Sequence, residues 1–61
     1  MKKMKYLRIK HNLTQEELGK IIGVSRKTVS SYEIGYRRLP VDKAKKLGDK
    51  LKFNWWELYE D

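Results

Sequence analysis

The chain has 61 residues, with 15 lysines and arginines against 8 aspartates and glutamates and a net charge of +7. That length holds one domain, here taken as residues 1–61, and so small a domain buries only about 60% of the surface its unfolded chain exposes. With no cysteine and one histidine, disulfide staples, thiolate metal sites and His-rich zinc sites are excluded, leaving helix packing and self-association to stabilise it.

No cofactor or metal is expected, and no base stands near a candidate nucleophile, so the chain does not read as an enzyme. No apolar run approaches the roughly 20 residues of a membrane span. The basic start, Met1 to Lys5, is not followed by a continuous apolar stretch. A signal peptide is therefore not expected, and the chain reads as cytoplasmic. Its charge is unevenly spread. Residues 1–11 carry five positive charges and no acid, residues 39–52 carry five lysines against Asp42 and Asp49, and the tail from Phe53 to Asp61 has three acids and no base. A basic body with an acidic end suits a polyanion on one side, although solvated lysine faces are also common on small domains.

Helical punctuation is dense and strand alternation nearly absent, so an all-α fold is expected. The first helix runs from about Lys3 to Lys10, with Met4 and Leu7 on one face, and exits at His11-Asn12, where Asn12 tolerates a left-handed conformation. Thr14-Gln15-Glu16-Glu17 reads as a capping box opening a second helix. That helix runs to about Ile22, with Leu18, Ile21 and Ile22 inward, and Gly23 closes it. Ser25 caps a third helix extending to about Ile34, with Gly35 behind it. The first turn of this helix holds Arg26 and Lys27, the wrong charge for an isolated helix N-terminus but a suitable one for meeting phosphate.

Tyr36-Arg37-Arg38-Leu39 is a basic loop. Pro40 opens a fourth helix to about Lys52, with Val41, Ala44, Leu47, Gly48 and Leu51 inward. Gly48 costs about 1 kcal/mol against alanine, which a close helix–helix contact would explain. Asn54, with Glu57 three residues on, reads as the N-cap of a short fifth helix holding Trp55, Trp56, Leu58 and Tyr59. One tryptophan is expected on helix 1 or 4 and the other at a dimer contact.

The informative stretch is QEELGKIIGVSRKTVSSYEI, from Gln15 to Ile34. Two short helices joined across Gly23-Val24-Ser25 and packed at about a right angle need a small residue at the crossing (Gly19), a turn glycine (Gly23) and an apolar plug (Val24). They also need a shared core, supplied by Leu18, Ile22, Val29 and Tyr32. At about 100° per residue, Val29 and Tyr32 then point inward, and Arg26, Lys27, Ser30 and Ser31 point outward. Arg and Lys donate to guanine, and Ser reaches bases or phosphates.

Residues 4–59 resemble the helix-turn-helix domain of the Xre, Cro and lambda-type repressor family. The resemblance rests on LRIKHNLTQEELGKIIGVSRKTVSSYEIG and on the closing pattern P-x3-A-x2-L-x3-L-x3-WWELY. It implies a compact five-helix domain whose third helix reads the major groove of double-stranded DNA. It implies a phosphate contact from Gln15, base contacts from Arg26, Lys27 and Ser31, and backbone contacts from Tyr36, Arg37 and Arg38. The full expected DNA-facing set is Thr14, Gln15, Ser25, Arg26, Lys27, Thr28, Ser30, Ser31, Tyr36, Arg37 and Arg38. The resemblance also implies an ion pair between Arg8 and Glu33, and Glu33 is the only acid among the basic residues 25–38. The chain departs from the pattern at Ile34, where the family often has an asparagine that meets the DNA backbone.

The function this implies is a sequence-specific regulator, a repressor that binds a palindromic operator as a homodimer, with no small-molecule ligand evident. The alternative is a protein-interaction module, an antitoxin or anti-repressor, docking a partner through its Trp-rich end. A cationic membrane-active peptide would need one long amphipathic helix, which Gly23, Gly35 and Pro40 interrupt.

Overall fold

The computed structural model describes residues 1–60; Asp61, the last acid of the tail, lies outside them. Helix α1 spans Lys2–Lys10 and buries Met4 and Leu7. Asn12 follows with φ of 57° and turns the chain toward the second helix. Helix α2, Gln15–Ile22, starts on the expected capping box: the Glu17 N–H donates to Thr14 Oγ1 (3.0 Å) and the Thr14 N–H to Glu17 Oε1 (2.8 Å). These two hydrogen bonds satisfy two otherwise orphaned donors. The Glu17 carboxyl is held below the usual carboxylate value, first by the bond from the Thr14 backbone N–H and second by the Thr14 side chain beside it.

Helix α3 is short, Arg26–Glu33. Ser25 caps it, accepting from the Thr28 N–H at 3.2 Å. Its buried face is Val29, Tyr32 and Glu33. Eight residues do not make a stable helix alone, so α3 depends on what it packs against. Helix α4 spans Val41–Leu51 and buries Ala44, Leu47 and Gly48, with Leu51 half-buried against the core. Lys43 of α4 also reaches α2, its Nζ donating to the Ile22 carbonyl at 3.1 Å.

The core joins all of these elements: Met4 and Leu7, Leu18 and Ile22, Val29 and Tyr32, Leu39, Ala44 and Leu47, and finally Leu58. Ile21, expected inward, is half-buried at its margin, as is Val24 of the turn. No helix among the described residues is long and apolar enough to cross a membrane.

Several expectations need correction. Among the described residues there are four α-helices, not five: the closing segment Trp55–Tyr59 is a 3-10 helix. Its turns close three residues apart, Glu57 N–H to the Asn54 carbonyl and Glu60 N–H to the Glu57 carbonyl, the form short terminal pieces take. Asn54 makes no side-chain cap bond there. Val41 does not face inward but is 49% exposed. Leu39, read from sequence as part of a basic loop, fills the core at that junction instead, and its carbonyl accepts from the Tyr59 hydroxyl at 2.8 Å. The close approach at Gly48 is to the connection after α4 and to the first residue of the closing 3-10 helix, since a Cβ there would lie 2.8 Å from the Phe53 carbonyl oxygen and 3.0 Å from Trp55 Cβ. Trp55 packs against the core, with Lys45 Nζ 5.4 Å from its ring centre, and Trp56 is 51% exposed.

Candidate nucleic-acid interface

The placement of α3 is set first by Gly19. A Cβ on Gly19 would stand 2.5 Å from the Val24 carbonyl oxygen, so the turn between α2 and α3 lies directly on the α2 backbone. Gly23, at φ of 77°, makes the reversal, and its N–H bonds back to the Gly19 carbonyl. With Val29 and Tyr32 drawn into the core, the opposite side of α3 is left bare.

On that side Arg26 and Lys27 are exposed. Together with Gln15 of α2 and Ser30 they line an open recess of about 290 Å³. Gln15 is thus brought to the base of the same surface as the first turn of α3. That turn contains no acid, so no carboxylate of its own competes for an anion approaching the helix start.

The hydroxyls are less available than the sequence suggests. Helical periodicity points Ser30 and Ser31 outward with the basic pair, yet both are half-buried. The Ser31 hydroxyl donates to the Lys27 carbonyl of its own helix at 3.1 Å. Thr28 is half-buried and shares a hydrogen bond with the exposed Ser25 hydroxyl at 3.1 Å. Packing of an eight-residue helix on two sides leaves a narrower open strip than helical-wheel geometry alone predicts.

Tyr36, Arg37 and Arg38 are exposed, Tyr36 to 82%. Their loop is tied to α3, because the N–H groups of Tyr36 and Arg37 both donate to the Ser31 carbonyl. Basic side chains therefore lie both on α3 and after it. Ile34 stands at its C-terminal end, 75% exposed, with no polar group to offer. Thr14 is exposed, and its hydroxyl is engaged in the cap.

Glu33 is held under this surface. Arg8 Nε lies 2.6 Å from Glu33 Oε2, and Arg8 Nη2 3.3 Å from Oε1. The pairing ties α1 to the end of α3 with the two-pronged geometry that guanidinium and carboxylate favour. The Met1 ammonium adds to it, donating to the Tyr32 and Glu33 carbonyls at 3.1 and 3.0 Å, where the helix dipole is negative. Sequence reading missed a further link from Gln15 Nε2 to Glu33 Oε1 at 3.1 Å, because nothing local connects residues 18 positions apart.

Comparison with known proteins agrees with a helix-turn-helix fold. A family model described as helix-turn-helix matches residues 4–54. An uncharacterized HTH-type transcriptional regulator of Bacillus subtilis is 37% identical over 58 residues, covering 95% of this chain and 76% of its own length. An uncharacterized HTH-type transcriptional regulator of Methanocaldococcus jannaschii is 58% identical over 33 residues, 54% of this chain, and the matched stretch spans only half of that relative's length. No solved structure gives a significant match. The chain belongs to the Xre and lambda-repressor-like helix-turn-helix family of DNA-binding transcriptional regulators.

Proposed function

We propose that the chain acts as a repressor, occupying a palindromic operator as a homodimer with α3 in the major groove. The observation that carries this reading is the bare side of α3, where Arg26 and Lys27 project from an acid-free helix start beside Gln15. Arg26 and Lys27 read base edges and Ser30 and Ser31 lie at the groove wall. Gln15 and the helix starts at Thr14, Ser25 and Thr28 meet phosphates, and Tyr36, Arg37 and Arg38 follow the backbone beyond. Double-stranded DNA is the partner, in the cytoplasm, and the protein performs no catalysis.

Dimerisation is supported by exposed apolar surface beside the basic loop. Val41 and Tyr59 are 49% and 38% exposed, and they line an apolar recess with Arg38, Leu39, Pro40 and Trp55. Arg38 belongs both to this recess and to the loop assigned to the backbone, so two copies meeting there stand side by side on the duplex. Their half-sites would lie about one helical turn apart.

Selection of bound sequences from random duplex DNA tests the proposal. The expected result is a two-fold symmetric motif, with Arg26→Ala weakening binding to it by about 1–3 kcal/mol. Unchanged affinity in that variant would remove Arg26 from the reading surface. Retention of a protein partner with no duplex bound would overturn the function itself.

A further inference from the structure

Gln15 is the only glutamine in the chain, and its terminal amide has a fixed partner. Nε2 lies 3.1 Å from Glu33 Oε1. A carboxylate only accepts hydrogen bonds, so the amide nitrogen and not its oxygen faces Glu33. Glu33 is itself buried and engaged on both oxygens by Arg8, whose Nη1 donates to the Leu13 carbonyl at 2.9 Å. A continuous polar chain thus runs from Leu13 through Arg8 and Glu33 to Gln15. It joins the α1–α2 connection, the end of α3 and the start of α2.

We propose that Glu33 is a positioning residue for the DNA contact, pinning one N–H of Gln15 so that its amide meets DNA in a single orientation; this rests on the DNA-binding reading above. Arg8 compensates the Glu33 charge, so a carboxylate can stand beneath a phosphate-facing residue without leaving an unpaired buried charge. Three consequences follow from the pinned geometry. Gln15 offers a phosphate one N–H and not two. Its oxygen accepts only from a donor, such as a base amino group, a water or the Arg26 guanidinium lining the same recess. The entropic cost of ordering a long glutamine side chain is borne in folding and not at binding.

Two measurements on the intact protein decide the matter. In the free wild type, the Gln15 side-chain amide should show two widely separated proton resonances. Its order parameter should lie near the rigid-backbone value of about 0.85, above that of Asn54, which makes no side-chain cap bond. A Gln15 amide as mobile as that of Asn54 overturns the proposal with no variant required.

The second measurement compares Gln15→Ala in two backgrounds, the wild type and Arg8→Met/Glu33→Met. The second background replaces the ion pair by apolar chains of similar volume and so avoids stranding one charge. On a duplex recovered by selection, the double methionine change should weaken binding about fivefold when Gln15 is present, the worth of roughly one net hydrogen bond. When combined with Gln15→Ala it should cost less than about twofold, because the positioned group is already gone. Equal losses with and without Gln15 would make the network structural only. A wild type that binds no duplex would instead remove the DNA reading, and with it the role of Glu33, whatever the amide resonances show.

Discussion

Gly19→Ala should both destabilise the domain and displace α3. The added Cβ would lie 2.5 Å from the Val24 carbonyl oxygen and 3.4 Å from two further backbone carbons of the turn. Ordinary contact begins nearly an ångström farther out, at 3.4 Å, and the obstructing atom is backbone, which no rotamer change removes. Overpacking of this kind costs about 1–3 kcal/mol, and the upper end applies because the turn must move as a unit. Against it stands the gain of about 1 kcal/mol from alanine in a helix interior. The net loss is about 2 kcal/mol. On a domain whose core supplies about 3–5 kcal/mol, that lowers the melting temperature by about 8–16 °C.

Thermal and urea unfolding followed by circular dichroism measure the loss. Gly23→Ala serves as the control: no atom lies within 4 Å of its added Cβ, so its cost is only that of φ at 77°, about 1–2 kcal/mol. The two variants separate in DNA binding, measured where both are folded. Gly19→Ala moves the turn that aims Arg26 and should lose affinity at least tenfold, while Gly23→Ala keeps the turn in place. A Gly19→Ala protein as stable as the wild type, with unchanged affinity, would refute the close approach as the device that places α3.

Removing the α2 cap by Thr14→Ala should cost about 1 kcal/mol in urea unfolding. The folded-state carboxyl of Glu17 is depressed from its ordinary value of 4.5, so its contribution is complete above that value and fades as pH falls through the folded one; Glu17→Gln should flatten this acid limb of the stability profile. Arg37→Ala/Arg38→Ala should make the dependence of log affinity on log salt shallower by about 1.8, the release of two phosphate counterions, as read by fluorescence anisotropy across a salt series. Ile34→Asn should leave stability within about 0.5 kcal/mol, since the side chain is 75% exposed, and raise affinity about threefold by giving the backbone a polar contact; a tenfold loss would show that the isoleucine itself touches DNA.

What the sequence made legible was local. The Thr14–Glu17 box is a reciprocal bond across three residues, and the reversal at Gly23 needs only one permissive residue, so both can be read from neighbours. The exposure of Arg26 and Lys27 was legible because the inward pull of Val29 and Tyr32 fixes the helix rotation. The burial of Leu39 was not, because the segment that meets it there, with the Tyr59 hydroxyl bonded to its carbonyl, lies 20 residues away. The serines of α3 misled for a related reason. Helical periodicity gives a direction, whereas the Ser31 hydroxyl turns back onto the Lys27 carbonyl of its own helix. The 3-10 form of the last segment was hidden too, since an Asn three residues before a Glu looks the same whichever helix follows.

These features give α3 an unusual mechanical position. Its own sequence supplies little helical stability, with cations in its first turn, no basic residue in its last and a valine and two serines in between. Its order comes from three attachments: the Gly19 seat before its first turn, Val29 and Tyr32 in the core, and the Arg8–Glu33 pair at its end. Each attachment uses the buried side and leaves Arg26 and Lys27 exposed. The electrostatic fault at the helix start persists in the free protein, and in the proposed complex a phosphate relieves it, so that part of the affinity is stability withheld from the unbound fold. Substituting acids near residues 26–28 would stabilise the free domain and weaken the complex by the same electrostatic interaction. Fold and site oppose each other at that one turn, and the remaining contacts of α3 keep the opposition from unfolding it.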